Sequence, residues 1–277
     1  MKLRLYHHHD GARIAYREIG TGPPLALLHS AGLSHREWEP IADELSDRFR
    51  LVLPDLPLHG DSEDNARHPY TPQWLAEVVS GFLADTCGPR PLVGGHDTGA
   101  QIVLRAVVEQ GLTPGRLVLM SSCLHQPAVR LDRGVRAAAA VAAVPGLDRA
   151  ASHVARMAFR PSKGPSLSAT GNPAARDLVR HATMDLGGNV NRTRAWSKAV
   201  RRWPRDQPEL LDAYRLIGVP VLLLWADEDP LHPLAIAEEA LDLLPDAMLR
   251  VLPGTGFLLA YDDPVGLARE LTAFCGP

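Results

Sequence analysis

Asp97 stands at the centre of Gly95-His96-Asp97-Thr98-Gly99-Ala100, with a glycine two residues away on each side. This is the spacing of the nucleophile elbow, G-x-S-x-G, in which a strained turn between a strand and a helix lifts one side chain above the sheet edge. Here the raised side chain is a carboxylate. A carboxylate in that position can attack carbon and leave an ester, which water must then cleave with the help of a nearby base. It can also work without becoming covalent: protonated, it donates to an epoxide or carbonyl oxygen, and ionised, it removes a proton from an acidic carbon or phenol. Amide dipoles at a helix N-terminus favour the ionised form by about 0.3–1 kcal/mol, whereas an apolar pocket favours the neutral one. The same letters also describe a plain glycine-rich turn with an acidic residue satisfying helix amides, so the surrounding chain must decide.

The flanking segments supply what an elbow requires. Pro91 to Gly94 is a short apolar run and Ala100 to Val108 reads as a buried helix, which leaves only a tight turn between them. Upstream, Asp10-Gly11 predicts a hairpin turn leading into the alternating segment Ala12 to Ile19. Pro24 to Leu28 is a fully apolar strand ending in His29-Ser30-Ala31-Gly32, where backbone amides are left free at a sheet edge. Trp38 to Leu45 is helical in pattern, and Leu51 to Leu53 is a buried strand closing on Pro54 to Ser62. Thr71 to Thr86 is a helix with Thr71 as N-cap. Leu117 to Ser121 is the next strand. Strands alternating with helices imply a mostly parallel, doubly wound sheet.

From Cys123 to Tyr214 the alternation stops. An alanine-rich run (Arg136 to Val144), a Pro/Gly/Ser stretch (Pro161 to Pro173) and helical patterns around Trp196 and Trp203 predict a helical cap over 123–214, inserted into a core made of 1–122 and 215–277. The sheet resumes with Val219 to Trp225. A helix over Leu234 to Leu244, a strand near Met248 to Leu252 and a closing helix over Pro264 to Phe274 follow.

Composition narrows the function classes. The chain has 277 residues, 45% apolar and 22% charged with net charge −3, enough for one large α/β domain, and carries no basic stripe for nucleic acid. No apolar run reaches the roughly 20 residues of a membrane span, and Met1 to Tyr6 lacks a signal-peptide core, so a cytoplasmic protein is expected. Cys87, Cys123 and Cys275 are odd in number and widely spaced, which predicts buried thiols rather than disulfides or a thiolate metal site. His7-His8-His9 invites a metal, but neighbours on a strand point to opposite faces, so at most His7 and His9 can share an ion, and no metal site is expected. Gly94-Gly95 followed by Gly99 fails the dinucleotide spacing, and the carboxylates Asp227, Glu228 and Asp229 read as solvated or orienting groups. No cofactor is expected, and the partner is a small apolar substrate of a monomer or homodimer.

Taken together, His29 to Gly32, Asp55 to Ser62, the elbow, Ala226-Asp227-Glu228-Asp229-Pro230 and Leu252-Pro253-Gly254-Thr255-Gly256 resemble the α/β-hydrolase fold over essentially the whole chain. The elbow is most similar to the branch with an aspartate nucleophile, the epoxide hydrolases and haloalkane dehalogenases. The resemblance implies Asp97 as nucleophile, the amides of Ala31 and Thr98 as oxyanion hole, and Asp229 as the acid that orients a catalytic histidine. At the place of that histidine, after Gly254-Thr255-Gly256, this chain has Phe257.

An atypical triad without a histidine is therefore expected. Phenylalanine takes no proton, so an ester on Asp97 should persist, and a drier pocket favours ring opening, cyclisation or isomerisation over hydrolysis. The leading expectation is an enzyme of small-molecule, secondary metabolism acting through Asp97 on an apolar electrophile such as an epoxide, with Asp229 of lesser weight. One alternative is a binding protein that has lost catalysis; another is a hydrolase with a relocated base. His232, three residues beyond Asp229, and His125, after a strand end, are the positional candidates for such a base. His96 is expected to be packed and hydrogen-bonded, with His29, Phe257 and Trp196 around the substrate. Two family features are missing: cap tyrosines, since only Tyr214 lies near that segment, and a tryptophan after the nucleophile, where Thr98 stands.

Overall fold

In a computed structural model, residues 1–65, 67–126, 133–144, 147, 150, 166–187, 190–204, 207 and 209–276 are described. Of the Pro/Gly/Ser stretch expected over Pro161 to Pro173, residues 161–165 lie outside them. Eight strands form one sheet: β1 (Lys2–His7), β2 (Arg13–Ile19), β3 (Pro24–Leu28), β4 (Arg50–Pro54), β5 (Leu92–His96), β6 (Arg116–Met120), β7 (Val221–Ala226) and β8 (Ala247–Leu252). Their order is β1-β2-β4-β3-β5-β6-β7-β8. The β1–β2 and β2–β4 pairs are antiparallel and the rest parallel. The doubly wound sheet expected from the strand–helix alternation is thus present.

The period-two alternation of each strand divides the core between the two faces. Ala26 and Leu28 of β3 point into a cluster with Val78, Val79 and Phe82 of α2 (Pro72–Cys87) and Val103 of α3 (Thr98–Gln110). Leu25 and Leu27 point the other way, into a cluster with Ile41 and Leu45 of α1 (Glu39–Ser46) and with Leu267 and Leu271 near the C-terminus. Thr71 caps α2 as expected, its hydroxyl accepting from the Trp74 amide at 3.2 Å, and Pro72 occupies the first turn where its missing N–H costs nothing.

Between β6 and β7 the described elements are all helical: α4 (Arg133–Ala142), α5 (Ala174–Gly187), α6 (Val190–Arg202) and α7 (Glu209–Tyr214). Polar anchors tie them to the core. Buried Arg105 of α3 donates to Gln207 at 2.6 and 2.8 Å, and Gln207 donates in turn to Gln101 at 3.1 Å. From α6, Arg192 donates to the Gly60 carbonyl at 3.0 Å and Lys198 to that of His68 at 2.6 Å, so this helix lies across the loop that follows β4. The chain then continues through α8 (Leu234–Leu243), α9 (Leu259–Asp262) and α10 (Pro264–Cys275). Among the described residues no helix is long and apolar enough to cross a membrane, and Cys87, Cys123 and Cys275 are buried free thiols.

Candidate active site

β5 ends at His96 and α3 starts at Thr98, so Asp97 alone makes the corner. Its backbone has φ 49° and ψ −113°, a region that residues with a side chain avoid. Such strain, typically ~1–3 kcal/mol, persists only where the surroundings over-determine it. Here the Asp97 amide is shared between the carbonyls of Met120 and Ser121, both at 3.2 Å, while its own carbonyl accepts from Ser122 Oγ at 2.8 Å and the Gln101 amide at 3.2 Å. The two glycines permit the bend by lacking a Cβ: one at Gly95 would sit 2.5 Å from the Ala100 nitrogen, and one at Gly99 2.5 Å from the Leu28 carbonyl oxygen.

The two Asp97 carboxylate oxygens face different partners. Oδ2 accepts from the Ala31 amide at 3.2 Å and from the Thr98 hydroxyl at 3.3 Å. The structure thus brings the Ala31 amide to Asp97, and Thr98 reaches the same oxygen through its side chain, where the sequence pointed to its amide. Oδ1 faces His232 Nε2 at 3.3 Å. His232 Nδ1 in turn lies 2.7 Å from Asp229 Oδ2, and the other Asp229 oxygen accepts from the Leu231 amide at 2.9 Å.

This contradicts the expected triad without a histidine. Phe257 does occupy the position after β8, but an imidazole reaches Asp97 from the loop after β7, on the same short segment as its orienting acid. Geometry, not chain order, defines such a constellation. His232 and Asp229 are buried. Burial alone would weaken the imidazole as a base, but hydrogen bonds to Asp229 and Asp97, a third with the Cys123 thiol and the Asp97 charge outweigh it and push its pKa up to about 11. Burial likewise opposes ionisation of Asp229, yet the hydrogen bond to His232 wins and holds its pKa below the usual carboxylate value.

The remaining residues expected at the site separate into those that line it and those that support it. Phe257 is stacked against His232, with ring centroids 5.9 Å apart and planes at 23°, and lies 4.8 Å from His96. His96 is packed as expected: its Nδ1 pairs with Glu37, and its Nε2 is buried with no partner among the described residues. Trp196 of α6 lies edge-on to His59 at 4.8 Å, and its buried indole N–H also has no partner among the described residues. His29 lies beneath the oxyanion loop. Its Nε2 accepts from the Leu56 amide at 2.9 Å, which leaves Nδ1–H to donate to the Ser30 carbonyl at 2.8 Å, and desolvation lowers its pKa. His125 is not brought to Asp97; it is engaged by Tyr214 at 3.2 Å and Glu239 at 2.9 Å, so its expectation as a base is corrected.

Three supports were assigned no role from the sequence, although two of them, Asp55 and His59, lie in the Asp55 to Ser62 segment. Glu37, in the 3-10 turn His35–Trp38, accepts from the Ser30 amide at 2.8 Å and from the Ser30 hydroxyl, tying the oxyanion loop to His96. His59 Nε2 accepts from the Gly32 amide at 3.0 Å, and burial keeps that ring neutral, its pKa well below normal. Asp55 accepts from the His35 amide at 2.8 Å, pairs with the His35 ring at 2.7 Å and accepts from the Asp61 amide at 2.9 Å. Burial raises its pKa, but the His35 contacts prevail and bring it to about 2. Neutral histidine acceptors and two buried carboxylates thus hold the Ala31 amide where it meets Asp97.

Comparison with known proteins agrees with this architecture. An uncharacterized protein of Mycobacterium tuberculosis is 25% identical over 281 residues, covering 95% of this chain and 77% of that protein. A pimeloyl-[acyl-carrier protein] methyl ester esterase of Nitrosomonas europaea is 27% identical over 265 residues, 88% of this chain and 92% of its own length. Among solved structures, an α/β hydrolase fold protein from Burkholderia ambifaria superposes with a TM-score of 0.81 at 23% identity, over 98% of this chain and 97% of that one. The model of the alpha/beta hydrolase family matches residues 25–270. That match spans most of the chain and includes the strained elbow at Asp97, so the chain belongs to the alpha/beta hydrolase family.

Proposed function

We propose that this protein is a hydrolase that opens a small apolar electrophile, an epoxide in the first instance, by attack of Asp97 on saturated carbon, and that His232 is the base of the second step. The observation that carries this reading is the line Asp229–His232–Asp97, with separations of 2.7 and 3.3 Å. Asp97 Oδ1 attacks a ring carbon, the carbon–oxygen bond breaks, and the imidazolium gives its proton to the leaving oxygen. The ester on Asp97 is then neutral, and His232, now neutral as well, takes a proton from water. The hydroxide adds to the ester carbonyl, whose oxygen develops charge where Ala31 and Thr98 donate. Collapse releases the diol and returns Asp97 as carboxylate and His232 as imidazolium, so protons balance over the cycle.

The relatives' names include esterases, but the chemistry of Asp97 favours saturated carbon. Attack of a carboxylate on an ester carbonyl would give an anhydride, more reactive than the substrate, whereas attack on an epoxide carbon gives an ordinary ester. We assign the indole N–H of Trp196, buried beside His59 and without a partner among the described residues, as donor to the oxygen that becomes the alkoxide. The test is to incubate wild type and His232→Gln with a panel of epoxides and to follow intact and peptide mass. The expected result is turnover by wild type with oxygen from labelled water in the product, and in His232→Gln an adduct on Asp97 that forms more slowly, without the imidazolium as acid, but then persists. Turnover without an Asp97 adduct in any variant would overturn covalent attack.

Phe257 favours a second reading. Packed against His232 and His96, it gives the site an apolar wall where a hydrolase of the family would have its base. A dry wall suits ring opening by an internal nucleophile of the substrate, with the Asp97–His232 pair moving the proton. Product free of water-derived oxygen would decide for it.

A further inference from the structure

The histidine run at the end of β1 is not used by the site at Asp97. The strand stops at His7, and the turn that follows changes the relation between its neighbours. Strict alternation would pair His7 with His9; the fold instead brings together His8 and His9, their ring centroids 4.1 Å apart. Glu77, on the α2 face that packs behind the turn, completes a set of three: one ligand atom from each of His8, His9 and Glu77 lies within 4.8 Å of the other two.

The geometry points to a zinc site formed by His8, His9 and Glu77, in which one ion joins the β1–β2 turn to α2. Two imidazoles and a carboxylate form a common donor set for this cation, with water completing a tetrahedron. Metal–ligand bonds of about 2.0–2.1 Å place tetrahedral ligand atoms roughly 3.3 Å apart, and His9 Nε2 is already 3.5 Å from Glu77 Oε1. The His8 ring is also oriented as a metal ligand requires. Its Nδ1 is held by Asp10 Oδ1 at 2.8 Å, and Asp10 is fixed by the Ala12 amide at 2.9 Å and the Trp74 indole at 2.7 Å. A carboxylate on the far nitrogen sets the tautomer and aims Nε2 at the ion. Gly81, one turn along α2 from Glu77, leaves room for that ring edge: a Cβ there would lie 3.4 Å from His8 Nε2. The site is separate from Asp97, since β1 is four strand positions from β5, about 19 Å at the ~4.8 Å strand spacing.

The test uses the full chain, stripped with EDTA and dialysed, and titrated calorimetrically with zinc chloride. One equivalent should bind, and zinc should raise the thermal midpoint of the wild type. His9→Ala and Glu77→Gln, both at exposed positions, should each weaken binding by at least about tenfold and abolish the thermal shift, while His7→Ala leaves both unchanged. Glu77 decides between a folded site and a run of histidines that binds metal by itself. If Glu77→Gln binds zinc as tightly as the wild type, if His7→Ala weakens it as much as His9→Ala, or if millimolar zinc gives no binding, the site does not exist.

Discussion

In the proposed mechanism, Asp97→Asn offers a direct measure of how the nucleophile controls its base. The substitution keeps the shape of the side chain and removes its charge, as esterification does. His232 carries a pKa of about 11 in the intact site, with Asp97 Oδ1 3.3 Å from its Nε2. At an effective dielectric of about 20, unit charges at that separation attract by about 332/(20 × 3.3), or ~5 kcal/mol. At ~1.36 kcal/mol per pH unit this is about 3.7 pH units, so losing the Asp97 charge brings His232 down to near 7. An imidazole that titrates near neutrality is an effective base, and it becomes one only after the ester has formed. The assay is a pH titration of the ring protons by NMR with labelled histidine, the signal assigned by its loss in His232→Gln. We expect the wild-type ring to stay protonated through neutral pH and the Asp97→Asn ring to titrate near 7. The protonated ring stabilises the fold fully below the unfolded-state value of ~6.5, and that contribution disappears as pH rises toward about 11. Asp97→Asn should flatten the loss of stability across this window. A His232 that is neutral at pH ~8 in wild type, or one in Asp97→Asn that still holds its proton at pH ~10, would refute the reasoning.

Three further outcomes follow from the same geometry. Asp229→Asn should lower kcat by about 10²–10⁴, because it removes the carboxylate that holds and orients the His232 ring at 2.7 Å; steady-state rates would show it, and a mild effect would exclude His232 as base. Trp196→Phe should cost about five- to tenfold in kcat/KM, the ~1–1.4 kcal/mol of one hydrogen bond, while leaving the His232 titration in place. Gly99→Ala forces a Cβ to within 2.5 Å of the Leu28 carbonyl and should lower stability by ~1–3 kcal/mol or more, read as a fall in thermal midpoint.

The fold was legible because its signals are local. The apolar runs at Pro24–Leu28 and Val221–Ala226, the cap at Thr71 and the two glycines around Asp97 each constrain the backbone where they stand. The site was legible only where chain position and spatial position coincide, as for Asp97, Ala31 and Asp229. The leading expectation left the site without a histidine because it tied the base to the loop after β8, and His232 stood only as one of two positional candidates, whereas proton transfer depends only on distance to the carboxylate. Pro230-Leu231-His232-Pro233 turns back over the sheet edge and supplies the ring from three residues beyond its acid. The roles of Glu37 and His59 were hidden for a related reason: their partners, Ser30 and Gly32, lie 7 and 27 residues away and share no pattern with them. At the histidine run, alternation was applied one residue past the end of the strand.

In the proposed mechanism, housing acid and base on a single loop divides labour along the sheet. The segment around Phe257 owes nothing to proton relay, so its aromatic ring can be exchanged for other apolar shapes to recast which molecules fit, while the machinery that cleaves them stays put. Selection among substrates and the power to turn them over thereby become separately adjustable, an unusual latitude for anyone redesigning the pocket.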